Sequence, residues 1–297
     1  MDIEDLRTFV EVADTGGVSA AARRLGLSKS IVSRRLFRLE DELGVQLLFR
    51  TTRGATLTEA GVTFREHAAR IGVELDLARE TLMPTGELRG RLRVAMPLSF
   101  GPTHFAPVLA DMSKRHPRLQ IHSSYSDRFV DLVAEGFDCA IRVGHLSDSD
   151  LVARRIGPIT GKLVASPAYV EKHGSPETVE ELAEHNALMQ GTETWRLTDA
   201  GQVITFQPQG NFKADNGVAL VVAAVAGLGI AYLPDCLTHP HFASDALVQV
   251  MPAFPPPAAA AHVVRPPGQR PTRKIKVLTD MLAAHFNAHP ELWGRGS

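Results

Sequence analysis

The first 44 residues hold three short stretches of helical spacing, each closed by glycine, and this rhythm limits the fold more than any other feature of the chain. Ile3, Leu6, Phe9, Val10 and Ala13 recur on one helical face until the DTGG run from Asp14 to Gly17 stops them. Ser19 reads as the cap of a second helix, AAARRLG, whose alanines permit close packing and which ends at Gly26. Ser28 caps a third, in which Val32, Leu36, Leu39 and Leu43 stand four, three and four residues apart before Gly44. Helix, short turn, helix is the spacing of a helix-turn-helix. Two β-favouring runs then flank RTTRGA and read as a hairpin, or wing, with a basic tip.

Charge is segregated onto the same stretch. Residues 23 to 53 carry eight basic side chains against three acidic ones, in a chain whose formal charge is -1. So neutral a total gives no global pull toward nucleic acid, and any such site must come from local segregation. On a helical wheel the core stripe of the third helix leaves Ser30, Ser33, Arg34 and Arg38 opposite it, with Lys29 and Arg35 at the flanks. Arginine pairs with guanine edges and serine with bases or phosphates, so this face suits the major groove. Arg50, Thr51 and Arg53 on the wing would add phosphate or minor-groove contacts. An Arg/Ser face is, taken alone, also what a merely solvated helix shows; the short preceding helix and the basic wing weigh against that reading. Phe37 lies nearer the exposed face than the core, and either packs on the next helix or meets a thymine methyl.

A long helix is expected from Glu59 to about Met83, started by Thr56 or Thr58 and closed by Pro84. Its stripe of Ala60, Phe64, Ala68, Ile71, Leu75, Ala78 and Leu82 fits a coiled-coil seam or packing on its own domain equally well. After PTGELRG the pattern changes. RLRVAM, LQIHSSYS and DCAIRV read as strands, alternating with helices PTHFAPVLADMSKRH and RFVDLVAEG, which implies a mostly parallel sheet. A second α/β half follows, with helices SPETVEELAEH and NGVALVVAAVAG and the strand GIAYLP, then a last helix TRKIKVLTDMLAAHF. Two such halves joined by crossing strands suggest a cleft between lobes, in an α/β fold.

Other chemistry finds little support. Cys139 and Cys236 stand far apart in apolar runs, as buried reduced thiols do, and not as a disulfide framework or zinc cluster. His285 and His289 are four apart without a third ligand, and His239 and His241 flank Pro240 in an expected loop. The GLG at Gly227 to Gly229 follows a helix where a dinucleotide motif precedes one, and Ser166 and Ser175 offer no recognisable nucleophile arrangement. No enzyme, metal or cofactor is expected. The acidic start MDIEDL is unlike a signal peptide and no apolar run approaches a membrane span, so a cytoplasmic location is expected.

The segments LRTFVEVADTGGVSAAARRLGLSKSIVSRRLFRLEDELGVQLLFRTTRGATLTEAG, GRLRVAMPLSFG, FVDLVAEGFDCAIRVG, LVARRIG and DNGVALVVAAVAGLGIAYLPDCL together resemble the LysR-type transcriptional regulators. The resemblance covers nearly the whole chain. It implies a winged helix-turn-helix over 1–58, a dimerising linker helix and hinge over 59–89, and a two-lobed effector domain of periplasmic-binding-protein type over 90–297. It also favours the dimer seam for the long helix. Lys29 stands where Gln is usual and Ser30 where Pro is frequent, which bears on base preference at the helix start and not on the fold.

In such regulators a small molecule, often an organic acid, lies between the lobes near the loop after the first strand. Here that loop is PLSFGPT, with Pro97, Ser99, the amides of Phe100 and Gly101, and Thr103 beside a helix start that favours an anion. Ser99 serves either the ligand or a helix cap; Arg142 supplies either a cation for a carboxylate or an internal salt bridge. Gln190, Asp215 and Asn216 are candidates from the other lobe. The implied partners are promoter DNA, the effector, further copies of the chain as a dimer and tetramer, and RNA polymerase. A reading from a different class is a cytoplasmic solute-binding or enzymatic α/β domain whose N-terminal segment only dimerises. It predicts no salt-dependent DNA binding, and activity indifferent to Arg34→Ala and Arg38→Ala.

Overall fold

The computed structural model describes all residues except 52–53, 83–86, 129, 145, 147–149, 192–193, 268–269 and 295–297. The chain forms two compact units. One comprises Met1–Leu88, Val130–Asp138 and Gly268–Ile275; the other comprises Arg89–Phe129, Cys139–Pro267 and Lys276–Ser297.

The first unit opens with α1 (Ile3–Thr15), α2 (Val18–Leu25) and α3 (Lys29–Leu43). The antiparallel hairpin of β1 (Leu48–Thr51) and β2 (Gly54–Leu57) follows, and then α4 (Glu59–Leu82). Gly16, Gly26 and Gly44 end the first three helices at φ 68°, 65° and 68°, a left-handed conformation that other side chains resist. Ser28 caps α3, its hydroxyl accepting from Ile31 N–H at 3.3 Å. α2 departs from expectation. It starts at Val18, after Gly17, whose carbonyl accepts from Ala21 N–H at 3.0 Å, so Ser19 lies inside the helix and does not cap it. Phe9, Val12, Ala21, Val32, Leu36 and Leu39 are completely buried between the three helices. Each large one contributes about 1.5–3 kcal/mol by leaving water.

The apolar stripe of α4 is divided. Phe64 packs on Phe9 with ring centroids 5.4 Å apart, and Ala68 is buried in the same core. Gly61 permits this approach, since a Cβ there would run into the Leu47 carbonyl oxygen. Buried Arg65 pairs with Asp14 at 2.6 Å, and Thr58 caps the helix by accepting from Gly61 N–H at 2.9 Å. Farther along, Ile71, Ala78 and Leu82 are exposed, Leu82 by 81%. The stop expected at Pro84 lies outside the described residues.

The segment expected as the helix RFVDLVAEG is instead a single turn. Asp131 accepts from the N–H groups of Val133 and Ala134, the Glu135 carboxylate accepts from Asp131 N–H, and Gly136 at φ 70° ends the turn. Start and stop signals sit too close together for a helix to grow between them.

The second unit holds two five-stranded sheets. Its strands are β3 (Gly90–Met96), β4 (Leu119–Tyr125), β5 (Cys139–Gly144), β6 (Val152–Ile159), β7 (Gly161–Ala165), β8 (Ala187–Met189), β9 (Trp195–Asp199), β10 (Gln202–Phe206), β11 (Phe212–Lys213), β12 (Ile230–Pro234), β13 (Val248–Val250) and β14 (Ala259–Arg265). Its helices are α5 (Ala106–Arg115), α6 (Pro167–His173), α7 (Val179–Leu182), α8 (Gly217–Val225) and α9 (Asp235–Ala243), and α10 (Arg273–Ala288) follows. One sheet runs in the order β4-β3-β5-β14-β6, the other β11-β8-β12-β7-β13, and β9 and β10 form a separate hairpin. β3 is parallel to β4 and β5, but β14 enters antiparallel beside β5 and β6, so the first sheet is mixed. The chain passes between sheets twice, through Thr160 alone from β6 to β7, and back from β13 to β14.

Two local details differ from the sequence reading. The helix after β3 begins as a π-helical turn, Gly101–Phe105. His239 and His241 lie in α9, which continues through Pro240. Proline has no N–H to offer the Cys236 carbonyl four residues earlier, so that helical bond is missing. Among the described residues no helix is long and apolar enough to cross a membrane.

Candidate functional site

Packing fixes which side of α3 is outward. With Val32, Leu36 and Leu39 buried, Lys29, Ser30, Arg34, Phe37 and Arg38 are exposed and Ser33 is half-exposed. Ser30 and Ser28 share a hydrogen bond at 2.8 Å. The arginines divide into two groups. Arg38 forks onto buried Asp5 of α1, its Nε and Nη2 donating to the two carboxylate oxygens at 2.6 Å each. That partner holds the guanidinium pKa above its ordinary value. Arg35, half-buried, donates to Glu4 at 3.4 Å and Thr8 at 3.2 Å. These two lace α3 to α1, while Arg34 and Lys29 extend from the exposed face. Arg53 lies outside the described residues, as do the side chains of Arg50 and Thr51.

In the second unit the C-terminal ends of parallel β3, β4 and β5 converge, the place where open α/β sheets bind ligands. The loop from Pro97 to Phe100 leaves β3 there. Gly101 N–H donates back to the Pro97 carbonyl at 2.8 Å, and a Cβ on Gly101 would strike the Tyr125 ring, so the loop lies flat on β4. Ser99 is buried, and its hydroxyl accepts from Gly217 N–H, the first residue of α8, at 2.9 Å. A residue of one lobe thus caps a helix of the other. Gly217 is confined from a second direction, because a Cβ there would lie 2.8 Å from Leu237.

Of the remaining predicted residues, Asn216 caps α8 with its own side chain, accepting from Val218 at 2.9 Å and Ala219 at 3.3 Å. Phe100 is buried, Pro97 half-exposed, Thr103 and Asp215 exposed, and Gln190 half-exposed just after β8. Arg142, half-buried on β5, donates to the Arg128 carbonyl at 3.4 Å. The structure therefore brings Ser99, Asn216 and Gly217 together, and sets Thr103 and Asp215 on the surface.

Sequence reasoning missed Asp127. Its carboxylate accepts from Leu98 N–H at 2.8 Å and lies 3.5 Å from the Ser99 hydroxyl, which places negative charge beside the loop. An acid just past the end of strand LQIHSSYS was the available signal. It also missed the pairing of Asp235 with Lys162 at 2.7 Å and with Thr160, at the crossing between sheets. Burial, with the Asp235 charge beside it, pushes the Cys236 thiol up to about 12, which removes it from thiolate chemistry at neutral pH.

Comparison with known proteins agrees with both parts of this geometry. Residues 3–62 match the family model described as bacterial regulatory helix-turn-helix protein, lysR family. Residues 85–287 match the LysR substrate binding domain. An HTH-type transcriptional regulator of Xanthomonas campestris pv. campestris is 34% identical, over 96% of this chain and 86% of its own length. The HTH-type transcriptional regulator CrgA of Neisseria meningitidis is 36% identical over 84% of each chain. Among solved structures, CrgA superposes with TM-score 0.57 at 30% identity, covering all of both chains. Full-length AphB, a virulence activator of Vibrio cholerae, gives 0.59 at 28%, over 96% of this chain and 99% of its own. With a DNA-binding module at one end, an effector-binding module over most of the rest and regulators as relatives along its length, this chain belongs to the LysR family of transcriptional regulators.

Proposed function

We propose that the protein is a cytoplasmic, promoter-binding regulator whose α3 reads double-stranded DNA and whose second unit answers to a small organic acid held between its lobes. Residues 1–58 bind DNA, 59–89 join two copies, and 90–297 sense the effector. The observation that carries the DNA reading is the exposed run of Lys29, Ser30 and Arg34 with Ser33 on one face of α3. Arg35 and Arg38 flank it, and Arg50, Thr51 and Arg53 on the hairpin reach the phosphates. Paired recognition helices require matched half-sites, so the operator is an interrupted palindrome held by a dimer or a pair of dimers. Effector binding shifts the assembly between geometries, and with it the DNA bend and contact with RNA polymerase, provided the effector binds those geometries unequally.

The effector reading is supported by the loop of Pro97, Ser99, Phe100, Gly101 and Thr103, which faces α8 through the Ser99 bond, with Gln190, Asp215 and Asn216 on the second lobe. Asp127 opposes an anion placed directly at Ser99, so a carboxylate needs the Arg142 guanidinium as its counter-charge.

Binding of the full chain to genomic fragments at several salt concentrations tests the DNA reading. Affinity that falls steeply with salt, and is weakened by Arg34→Ala, is expected; salt-independent or absent binding overturns it. Thermal denaturation with a panel of small organic acids tests the effector. At about a hundredfold excess over Kd a true effector raises the Tm by roughly 5–10 °C, and Arg142→Ala abolishes that rise.

A further inference from the structure

The exposed face of α3 carries one side chain that neither charge nor hydrogen bonding explains. Phe37 is 66% exposed, on a helix whose Val32, Leu36 and Leu39 are completely buried and whose Ile31 and Leu43 are half-buried. That exposure removes one of the two roles the sequence allows it, packing on the following helix within the chain. The ring stands seven residues after Ser30, four after Ser33 and three after Arg34, which puts all four side chains on one face. Beyond it the surface changes sign. Phe37 borders a recess lined by Glu40, Asp41, Gly44, Val45 and Leu48, whose acids disfavour the phosphate backbone. The ring therefore stands at the boundary between the face of Ser30, Ser33 and Arg34 and these acids.

A phenyl ring offers no hydrogen bond, so it cannot read donor and acceptor patterns. The apolar group that a base pair presents in the major groove is the thymine C5 methyl. Four residues of helix advance about 6 Å, close to two base steps of roughly 3.4 Å each. We propose that Phe37 is a specificity-determining residue that packs on a thymine methyl about two base pairs beyond the position met by Ser33 and Arg34. The assignment rests on the DNA reading above and names one base within it.

The test uses the full chain and an operator that it selects from genomic DNA. Each thymine is replaced in turn by deoxyuridine, which removes only the methyl. One thymine per half-site is expected to respond, weakening wild-type binding roughly fourfold for the lost methyl contact. Phe37→Ala abolishes that difference at that position and leaves the response to Arg34→Ala intact, while Phe37→Leu retains part of it. The exposed site makes misfolding of these variants a minor concern, and circular dichroism checks it. Binding that depends on salt as expected, with every deoxyuridine effect equal in wild type and Phe37→Ala, overturns the Phe37 assignment alone. Absence of salt-dependent binding by the wild type overturns the regulator reading and this assignment with it.

Discussion

Arg34 and Arg38 look alike on a helical wheel and differ in what their loss does. Arg38 answers the buried Asp5 carboxylate through two short hydrogen bonds, and removing it strands a charge that water barely reaches. Arg38→Ala is therefore expected to lower the denaturation midpoint of the winged module, with Arg38→Lys restoring only part because a single ammonium cannot fork onto both oxygens. Arg34→Ala is expected to leave that midpoint unchanged and to weaken DNA binding, reducing the salt slope by about one unit if its partner is a phosphate. Urea denaturation beside a binding titration separates the two. Loss of DNA binding by Arg38→Ala without loss of stability would contradict this division. The sequence marks both arginines as outward, because the Asp5 partner of Arg38 lies 33 residues away on α1 and spacing within α3 carries no information about it. The bond from Gly217 to Ser99 was hidden for the same reason.

At the level of elements, periodicity located nearly every helix that was long and closed by glycine. It could not divide α4. Phe64 and Ala68 repeat at the same spacing as Ile71, Ala78 and Leu82, yet the first two join the domain core and the last three do not. The reading as packing on its own domain holds for the half with Phe64 and Ala68, and the seam reading stays a proposal for the exposed outer half. If the outer half is the seam between copies, Ile71→Glu with Leu82→Lys should shift the sedimenting species toward the mass of a single chain, with helical content retained. Persistence of the dimer would move the seam elsewhere. The RFVDLVAEG segment and α9 failed for opposite reasons. In the first, Asp131 and Gly136 closed one turn before a helix could extend. In the second, α9 continues through Pro240 although the proline signals a break and leaves the Cys236 carbonyl without its helical N–H.

Over the whole molecule, four histidines among the described residues, His104, His185, His262 and His285, set a common pH response. Burial is the first cause lowering the pKa of each below the ordinary 6.5, with His285 adding repulsion at His104, His173 at His185 and Arg155 at His262. Below that value the unfolded chain binds protons that the folded chain resists, so stability rises with pH across this window and falls as the solution is acidified. The urea midpoint is expected to be lower at about pH 5.5 than at about pH 7.5, and His104→Gln should remove part of the difference. A midpoint that rises on acidification through this range would contradict the assignment.

The capping bond between Ser99 and Gly217 also bears on which molecules an inter-lobe site admits. The donor at the start of α8 is already occupied, so binding there is an exchange and not an arrival. A neutral hydroxyl gains nothing by replacing another hydroxyl, and a hydrocarbon would leave the amide without an acceptor. A carboxylate makes a stronger bond than the hydroxyl it displaces, provided a counter-charge offsets Asp127 beside the loop. Under the proposed effector reading, the serine is a resident competitor that a newcomer displaces only with a better oxygen.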